Sequence, residues 1–182
     1  MKSGFIAIVG RPNVGKSTLM NKLIKEKVAI VSDKAGTTRD QIKGIINIGE
    51  NQYIFMDTPG IHKPKHLLGE HMTNVALDTL NNADLILFML DGTQGISTGD
   101  MFVNENAKNS NTPIVLIINK IDKMTDEDIA LKLEEVKEKL GEFAGIITMT
   151  GEYGIGVHKI FEISEKYLSN DMWFYPEDYY TD

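Results

Sequence analysis

The stretch GRPNVGKS, residues 10–17, constrains the fold more than any other part of this 182-residue chain. It follows the apolar run FIAIV and precedes TLMNKLI, so a strand should end in a glycine-rich turn that opens a helix. The pattern G-x-x-x-x-G-K-[ST] gathers backbone N–H groups and a helix amino terminus around one point, where an anion is stabilised. The stretch therefore predicts a phosphate loop, a feature that ATPases, GTPases and nucleotide kinases share.

Apolar runs of strand length recur along the chain and alternate with stretches of helical character. Strands are predicted at 5–9, 42–48, 52–57, 85–90, 114–118 and 146–149. Helices are predicted at 16–26, about 70–82, about 98–110, 126–140 and 156–168. Strands that alternate with helices form a parallel sheet with right-handed crossovers. The runs at 42–48 and 52–57 are too close in sequence for a crossover, so they should form an antiparallel hairpin.

These elements predict an α/β fold of the P-loop NTPase type: a six-stranded, mostly parallel sheet with one antiparallel edge strand and helices on both faces. Four runs are expected to be buried on both faces: 5–9, 85–90, 114–118 and 146–149. Thr125 precedes an acidic first turn and is expected to cap the helix at 126–140. With 42% apolar residues the chain can bury one sizeable core.

Composition limits the expected location and partners. The chain has no cysteine, no apolar run of the roughly 20 residues that a membrane span needs, and no signal-peptide pattern at its amino terminus. A cytoplasmic location is therefore expected. The formal net charge of −7 predicts that the chain alone binds RNA or DNA poorly, because nucleic-acid affinity depends on clustered Lys and Arg.

The residues of the phosphate loop have different expected roles. Lys16 should bridge the β- and γ-phosphates, and the Ser17 hydroxyl should bind magnesium (Mg²⁺). The residues expected to contact the nucleotide here are Gly10, Arg11, Pro12, Asn13, Val14, Gly15, Lys16, Ser17 and Thr18.

The motif NKID, residues 119–122, follows a buried strand at the point where open parallel sheets bind ligands. Asp122 can accept the N1 proton and the exocyclic amino protons of guanine, and adenine offers neither in that arrangement. Asn119 is expected to join the base edge to the phosphate loop, while the stem of Lys120 lies along the ring. The nucleotide should therefore be GTP or GDP.

Two further motifs point to a γ-phosphate sensor. In DTPG, Asp57 suits a water-mediated contact to Mg²⁺, and Gly60 can offer its backbone N–H to the γ-phosphate. In GTTRD, residues 36–40, Thr38 could reach Mg²⁺ only when the γ-phosphate is present. A hydroxyl and a glycine on loops around the third phosphate make a switch.

The order phosphate loop, switch threonine, DTPG and NKID is typical of the translation-factor-related GTPases, which the chain resembles over about residues 5–168. Within that class the Asn-Val pair of the phosphate loop, GTTRD, and the stretches at 57–72 and 174–182 resemble the Era family. The resemblance implies a G domain that binds GTP or GDP with Mg²⁺ and hydrolyses GTP.

The same resemblance implies a domain organisation and partners. Residues 1–169 would form the GTPase domain, and residues 170–182 would be an exit linker toward a C-terminal KH domain that is absent from this chain. In the family the KH domain binds ribosomal RNA, so the implied partners are the small ribosomal subunit and its 16S rRNA. Peripheral association with the inner membrane is also implied. At the guanine loop, Thr150-Gly151 replaces the usual Ser-Ala pair, and its backbone N–H would still contact guanine O6.

The hydrolytic step lacks one common part. Many GTPases place a glutamine that orients the attacking water where this chain has Ile61, so unaided turnover should be slow. Neither Arg11 nor Arg39 is placed by the sequence as an arginine finger. Related GTPases with NVGKS use the Asn13 amide to help hold potassium (K⁺) against the phosphates, although Asn13 could equally only shape the loop. The expected catalytic residues are Asn13, Lys16, Thr38, Asp57 and Gly60.

Two rival functions are compatible with a phosphate loop. One is a GTP-gated binding module of a Der-like or tRNA-modification-type relative, in which hydrolysis is incidental. The other is a small-molecule kinase, which has no use for NKID and would need a basic lid that the sequence lacks.

Overall fold

A twisted β-sheet forms the centre of the molecule in the computed structural model, which describes residues 1–12, 14–26, 29–30, 42–58, 74–150 and 156–175. The strands are β1 Lys2–Val9, β2 Ala29–Ile30, β3 Ile42–Ile48, β4 Asn51–Asp57, β5 Leu85–Asp91, β6 Ile114–Asn119 and β7 Gly145–Thr148. The α-helices are α1 Lys16–Glu26, α2 Asn74–Asn82, α3 Thr98–Asn109, α4 Asp126–Lys139 and α5 Val157–Ser164. Two short 3₁₀ turns follow β6 and α5, at Ile121–Lys123 and Glu165–Tyr167.

The strand order is β2-β3-β4-β1-β5-β6-β7, and all six predicted strands are present. β4, β1, β5, β6 and β7 run parallel, whereas β3 pairs antiparallel with β4, which confirms the hairpin and the α/β fold. One detail differs from the prediction: β3 is not at the edge of the sheet. The two-residue strand β2 pairs antiparallel with it through Ala29 to Ile46 and Ile30 to Ile45. So short a strand has no recognisable period in sequence, yet it occupies backbone groups that β3 would otherwise leave open.

The core lies on both faces of the sheet, because successive side chains of a strand point to opposite sides. Along β5, Ile86 and Phe88 pack on the face that α2, α3 and α4 cover, and Leu85 and Leu87 pack on the face that α1 and α5 cover. β5 and β6 are buried along their whole length, as predicted. The prediction is wrong for β7, where Ile146 is 45% exposed. β7 is an edge strand, so one of its sides lacks a neighbour.

Helix α4 begins as the sequence predicts. The Thr125 hydroxyl accepts a hydrogen bond from the backbone N–H of Asp128 at 3.1 Å, and the Asp128 carboxylate accepts the Thr125 N–H at 3.0 Å. This reciprocal capping box satisfies donors that a helix start leaves without an internal partner. In the described part of the chain no helix combines the length and the apolar character that a bilayer crossing requires.

The predicted helix at 156–168 is shorter in the structure, because α5 ends at Ser164 and a tighter turn follows. The change of direction brings Leu168 against Gly4 and lets Asn170 exchange backbone hydrogen bonds with Ser3, at 2.9 and 3.1 Å. The helix therefore ends where the chain turns back onto β1.

Residues 170–175, the start of the predicted exit linker, lie against the sheet. The buried Gln52 side chain accepts the N–H groups of Phe174 and Tyr175 and donates to the Tyr175 carbonyl at 2.9 Å. The Trp173 indole donates to the Glu50 carbonyl at 2.9 Å. This part of the segment is consequently ordered by the domain that precedes it, and the linker role remains a prediction.

Candidate guanine-nucleotide site

The candidate site lies along one edge of the sheet, where the carboxyl ends of the parallel strands meet. The phosphate loop follows β1, Asp57 ends β4, Asp91 ends β5 and Asn119 ends β6. Open parallel sheets bind ligands at this edge, so residues far apart in sequence come together here.

The phosphate loop passes directly into α1, whose first helical bond joins the Leu19 N–H to the Gly15 carbonyl at 2.9 Å. The amino terminus of α1 therefore faces the loop, where it favours an anion. Ser17 and Thr18 are exposed on the first turn, whereas Val14 is buried in the core. The buried Val14 side chain attaches the loop to the domain, while the hydroxyl groups of Ser17 and Thr18 stay accessible to a ligand.

Lys16 is the cation of this loop. Its Nζ donates to the Gly10 carbonyl at 2.5 Å, across the loop. Burial lowers the pKa of Lys16, and the nearby Asp57 carboxylate opposes this effect without cancelling it. A phosphate group in the loop would supply further negative charge, which favours the charged form of the lysine. The burial of the Lys16 ammonium is thus compatible with a role in binding an anionic ligand.

Asn119 joins the end of β6 to the phosphate loop. Its side-chain Nδ2 donates to the Val14 carbonyl at 3.0 Å, and the residue is only 3% exposed. The contact requires a glycine at position 15, because a Cβ there would lie 2.3 Å from Asn119 Nδ2 and the backbone has a φ of +111°. Only glycine combines that conformation with so close an approach.

A cavity of about 350 Å³ opens beside this contact. Its lining residues are Gly15, Thr18, Asn119, Lys120, Asp122, Lys123 and Thr150. Asp122 and Lys123 are exposed on the 3₁₀ turn after β6, and Thr150 is 2% exposed. The Thr150 hydroxyl oxygen is buried and has no hydrogen-bond partner among the residues that the structure describes. The structure therefore brings four residues predicted for the guanine base, Asn119, Lys120, Asp122 and Thr150, to one cavity with Gly15 and Thr18.

Asp91 is a residue that the sequence reasoning missed. Its carboxylate accepts Lys120 Nζ at 2.8 Å and both the hydroxyl and the N–H of Thr93. Burial alone would raise the pKa of Asp91, but the bonds from Lys120 and Thr93 outweigh it and lower that pKa. Lys120 itself has a left-handed backbone, with a φ of 67°. The ion pair fixes the Lys120 side chain along the cavity; an aspartate that ends a buried strand before a glycine is the sequence feature that could have indicated it.

Asp57 is held at the end of β4 by its neighbour. The Thr58 N–H donates to Asp57 Oδ1 at 3.0 Å, and the Thr58 hydroxyl donates to the Ile8 carbonyl at 3.1 Å. Thr58, which the sequence reasoning did not single out, thus attaches the start of DTPG to β1.

The remaining predicted residues divide into two groups. Pro12 is exposed in the phosphate loop, and the Arg11 side chain contacts Gln94 and Asp100 rather than Lys16 or Ser17. Four predicted residues lie outside the described part of the chain: Asn13, Thr38, Gly60 and Gly151.

Comparison with known proteins decides the class. A family model described as 50S ribosome-binding GTPase matches residues 5–120, which is more than half of the chain. The chain belongs to this GTPase family. The predicted resemblance to Era is also confirmed: the chain is 57% identical over 183 residues to the GTPase Era of Fusobacterium nucleatum, covering 100% of this chain and 62% of that relative. The chain thus spans about three fifths of the length of this relative.

Two solved structures agree with this assignment. Era in complex with MgGDPNP and nucleotides 1506–1542 of 16S ribosomal RNA is 41% identical, with a TM-score of 0.79 over 98% of this chain and 61% of that one. A variant of Aquifex aeolicus Era bound to GDP·AlF₄⁻ is 42% identical, with a TM-score of 0.79 over 100% of this chain and 62% of that one. Both structures therefore match this chain along nearly its whole length.

The close approach of Gly15 to Asn119 generates a prediction. Gly15→Ala should weaken GDP binding by at least about tenfold, because the added methyl group displaces the Asn119 amide or the loop. Gly95→Ala is the matched control: a Cβ at Gly95 meets no atom of the described residues within 4 Å, so this variant should bind GDP as the wild type does. Isothermal titration calorimetry measures both variants. Equal affinities for the two variants would show that the approach does not support binding.

Proposed function

We propose that this chain is the nucleotide-binding part of an Era-type GTPase. It binds GTP and hydrolyses it to GDP and phosphate, and its switch loops change conformation between the two nucleotide states. The observation that carries the proposal is the hydrogen bond from Asn119 to the Val14 carbonyl, which places NKID and the phosphate loop around one cavity. The proposal would not be supported if the residues predicted for the base and those predicted for the phosphates lay at two separate pockets.

The phosphate loop, whose Gly15 lines the cavity, supplies positive charge and backbone donors. Lys16 exchanges its bond to the Gly10 carbonyl for the β- and γ-phosphates, and the amino terminus of α1 adds its dipole. Charge that develops on the transferring phosphoryl group is stabilised by these fixed groups. Both groups hold and orient the phosphates, and neither supplies a base for the attacking water.

The guanine end reads the base through Asp122. The carboxylate is exposed on the turn after β6, beside the cavity, where it can accept the N1 and amino protons of guanine. Lys120 lies alongside, positioned by its 2.8 Å bond to Asp91. Thr150 also lines the cavity, and the neighbouring Gly151 is proposed to donate its N–H to guanine O6.

Magnesium fits the oxygen groups at the phosphate end. Ser17 would offer a hydroxyl to the ion, and Asp57 would offer a carboxylate for a water-mediated contact; oxygen groups of this kind are what Mg²⁺ prefers. Asp57 lies close enough to Lys16 to influence its pKa. Bound there, the ion would neutralise charge on the β- and γ-phosphate oxygens. Thr38 and Gly60 are proposed to join this end when the γ-phosphate is present.

The wider role is proposed from the relatives. An Era structure contains nucleotides of 16S rRNA, so we propose small ribosomal subunit assembly as the process that this GTPase serves. The net charge of −7 makes RNA contact through a further KH domain, rather than through this chain, the expected route. A cytoplasmic location with peripheral membrane association is part of the same proposal.

The base assignment has a direct test. Asp122→Asn should move the preference from GDP toward XDP by about two orders of magnitude or more, because the amide can donate to the carbonyl that xanthine carries in place of the amino group. Competition binding with the two diphosphates measures the ratio. The proposal that Asp122 reads the base fails when the variant keeps the wild-type preference for GDP.

Hydrolysis, and the proposed K⁺ at Asn13, are tested together by multiple-turnover phosphate release. The wild-type chain should release phosphate repeatedly, and faster in KCl than in NaCl at equal ionic strength, because a cation beside the phosphates stabilises the developing charge. Asn13→Ala should remove the salt difference while GDP binding is retained.

The possible results separate the readings. Phosphate release that stops at a single turnover in both salts favours the GTP-gated binding module. Repeated turnover at identical rates in KCl and NaCl supports the GTPase and contradicts the K⁺ proposal.

A further inference from the structure

The Arg11 side chain is attached to groups outside the phosphate loop. Its Nε donates to Asp100 Oδ1 at 3.0 Å, and its Nη2 donates to Gln94 Oε1 at 2.5 Å. Asp100 is only 2% exposed, so the ion pair is shielded on one side from water. A guanidinium that serves two acceptors at once is held in a defined orientation, because its donors form a rigid planar fork.

The two acceptors are themselves fixed. Asp100 lies in the first turn of α3, where its Oδ2 accepts the Ser97 N–H at 2.9 Å and the Ser97 hydroxyl at 3.1 Å in a capping box. The backbone carbonyl of Gln94 accepts Lys132 Nζ from α4 at 2.7 Å. Lys132 is 9% exposed and also bonded to Glu135. Arg11 therefore binds a rigid support made by α3, α4 and the loop between β5 and α3.

We propose that Arg11 is a positioning residue of the phosphate loop, and that its bonds to Asp100 and Gln94 increase the affinity for nucleoside diphosphates and triphosphates. The role rests on the nucleotide binding proposed above. Arg11 follows Gly10, and glycine leaves the backbone many conformations. A loop that is already held in one arrangement loses less conformational freedom when it binds phosphates, so it binds them more tightly.

The position of this support defines which part of the ligand it affects. Arg11 acts at the amino-terminal half of the phosphate loop, whereas Asn119, Asp122 and Thr150 line the cavity at the base end. Loss of the Arg11 side chain should therefore weaken the binding of a nucleotide more, the more contacts its phosphates make with the loop. GDP should be affected more than GMP, because GMP has no β-phosphate to occupy the loop.

The experiment is a double-mutant cycle on GDP and GMP binding, measured by calorimetry with Arg11→Ala, Asp100→Asn and the double variant. Arg11→Ala should weaken GDP binding by about tenfold and reduce the preference for GDP over GMP. Asp100→Asn should have a similar effect, and the double variant should be no weaker than the weaker single variant, because residues that act through one contact do not add. Arg11→Lys keeps the charge without the fork and should fall between wild type and Arg11→Ala.

The control is Lys108→Ala. Lys108 also lies on α3, where it donates to the Glu142 carbonyl and sits 4.2 Å from the Phe143 ring centroid, at the end of the helix remote from Arg11. This variant can lower the unfolding temperature but should leave GDP affinity within about twofold of wild type.

Each result decides the proposal. GDP affinity of Arg11→Ala within twofold of wild type, equal losses for GDP and GMP, or additive effects in the double variant would overturn it. When Arg11→Ala does not fold, Arg11→Lys decides: an unchanged preference for GDP over GMP contradicts the positioning role. Absence of GDP binding by the wild-type chain would instead overturn the proposed function and this role with it.

Discussion

One hydrogen bond, from the Asn119 amide to the Val14 carbonyl, joins the two halves of the candidate site. It is buried, and the chain around it is adapted to it: Gly15 has no Cβ that would strike the amide, and Val14 is anchored in the core. A buried donor that loses its acceptor is costly, so the bond tends to persist. The residues proposed to read the base, at the end of β6, are consequently held in a constant position relative to the phosphate loop after β1.

The loop between β5 and α3 supports both halves from outside. Asp91 at its start holds Lys120 at the base end, and Gln94 farther along holds Arg11 at the phosphate end. Asp100, in the first turn of α3, completes this second attachment. Because β5 lies between β1 and β6 in the sheet, a loop that leaves its carboxyl end reaches both neighbours. The loop after β5, an interior strand of the sheet, is therefore where the site is supported.

The sequence predicted the fold well where periodicity and motifs are long. The strand before the phosphate loop, the helix after it, the hairpin and the Thr125 cap were all recognisable because each depends on local spacing. The two-residue strand β2 and the exposure of Ile146 were not, because they depend on which strand lies at the edge of the sheet. Asp91 and the outward bonds of Arg11 were missed for a related reason: their partners are 29 and 89 residues away in sequence. Sequence motifs indicate which residues are proposed to contact the ligand, and they say little about which other residues hold them in place.

The central claim is that base recognition and phosphate recognition depend on one contact. Asn119→Asp tests it most directly, since the carboxylate has nearly the same shape but cannot donate to the Val14 carbonyl. Competition binding of GDP and ADP to this variant should give a GDP affinity lower by at least about tenfold together with a smaller preference for GDP over ADP. A variant that loses GDP affinity while keeping the full preference over ADP, or that keeps both, would contradict the claim.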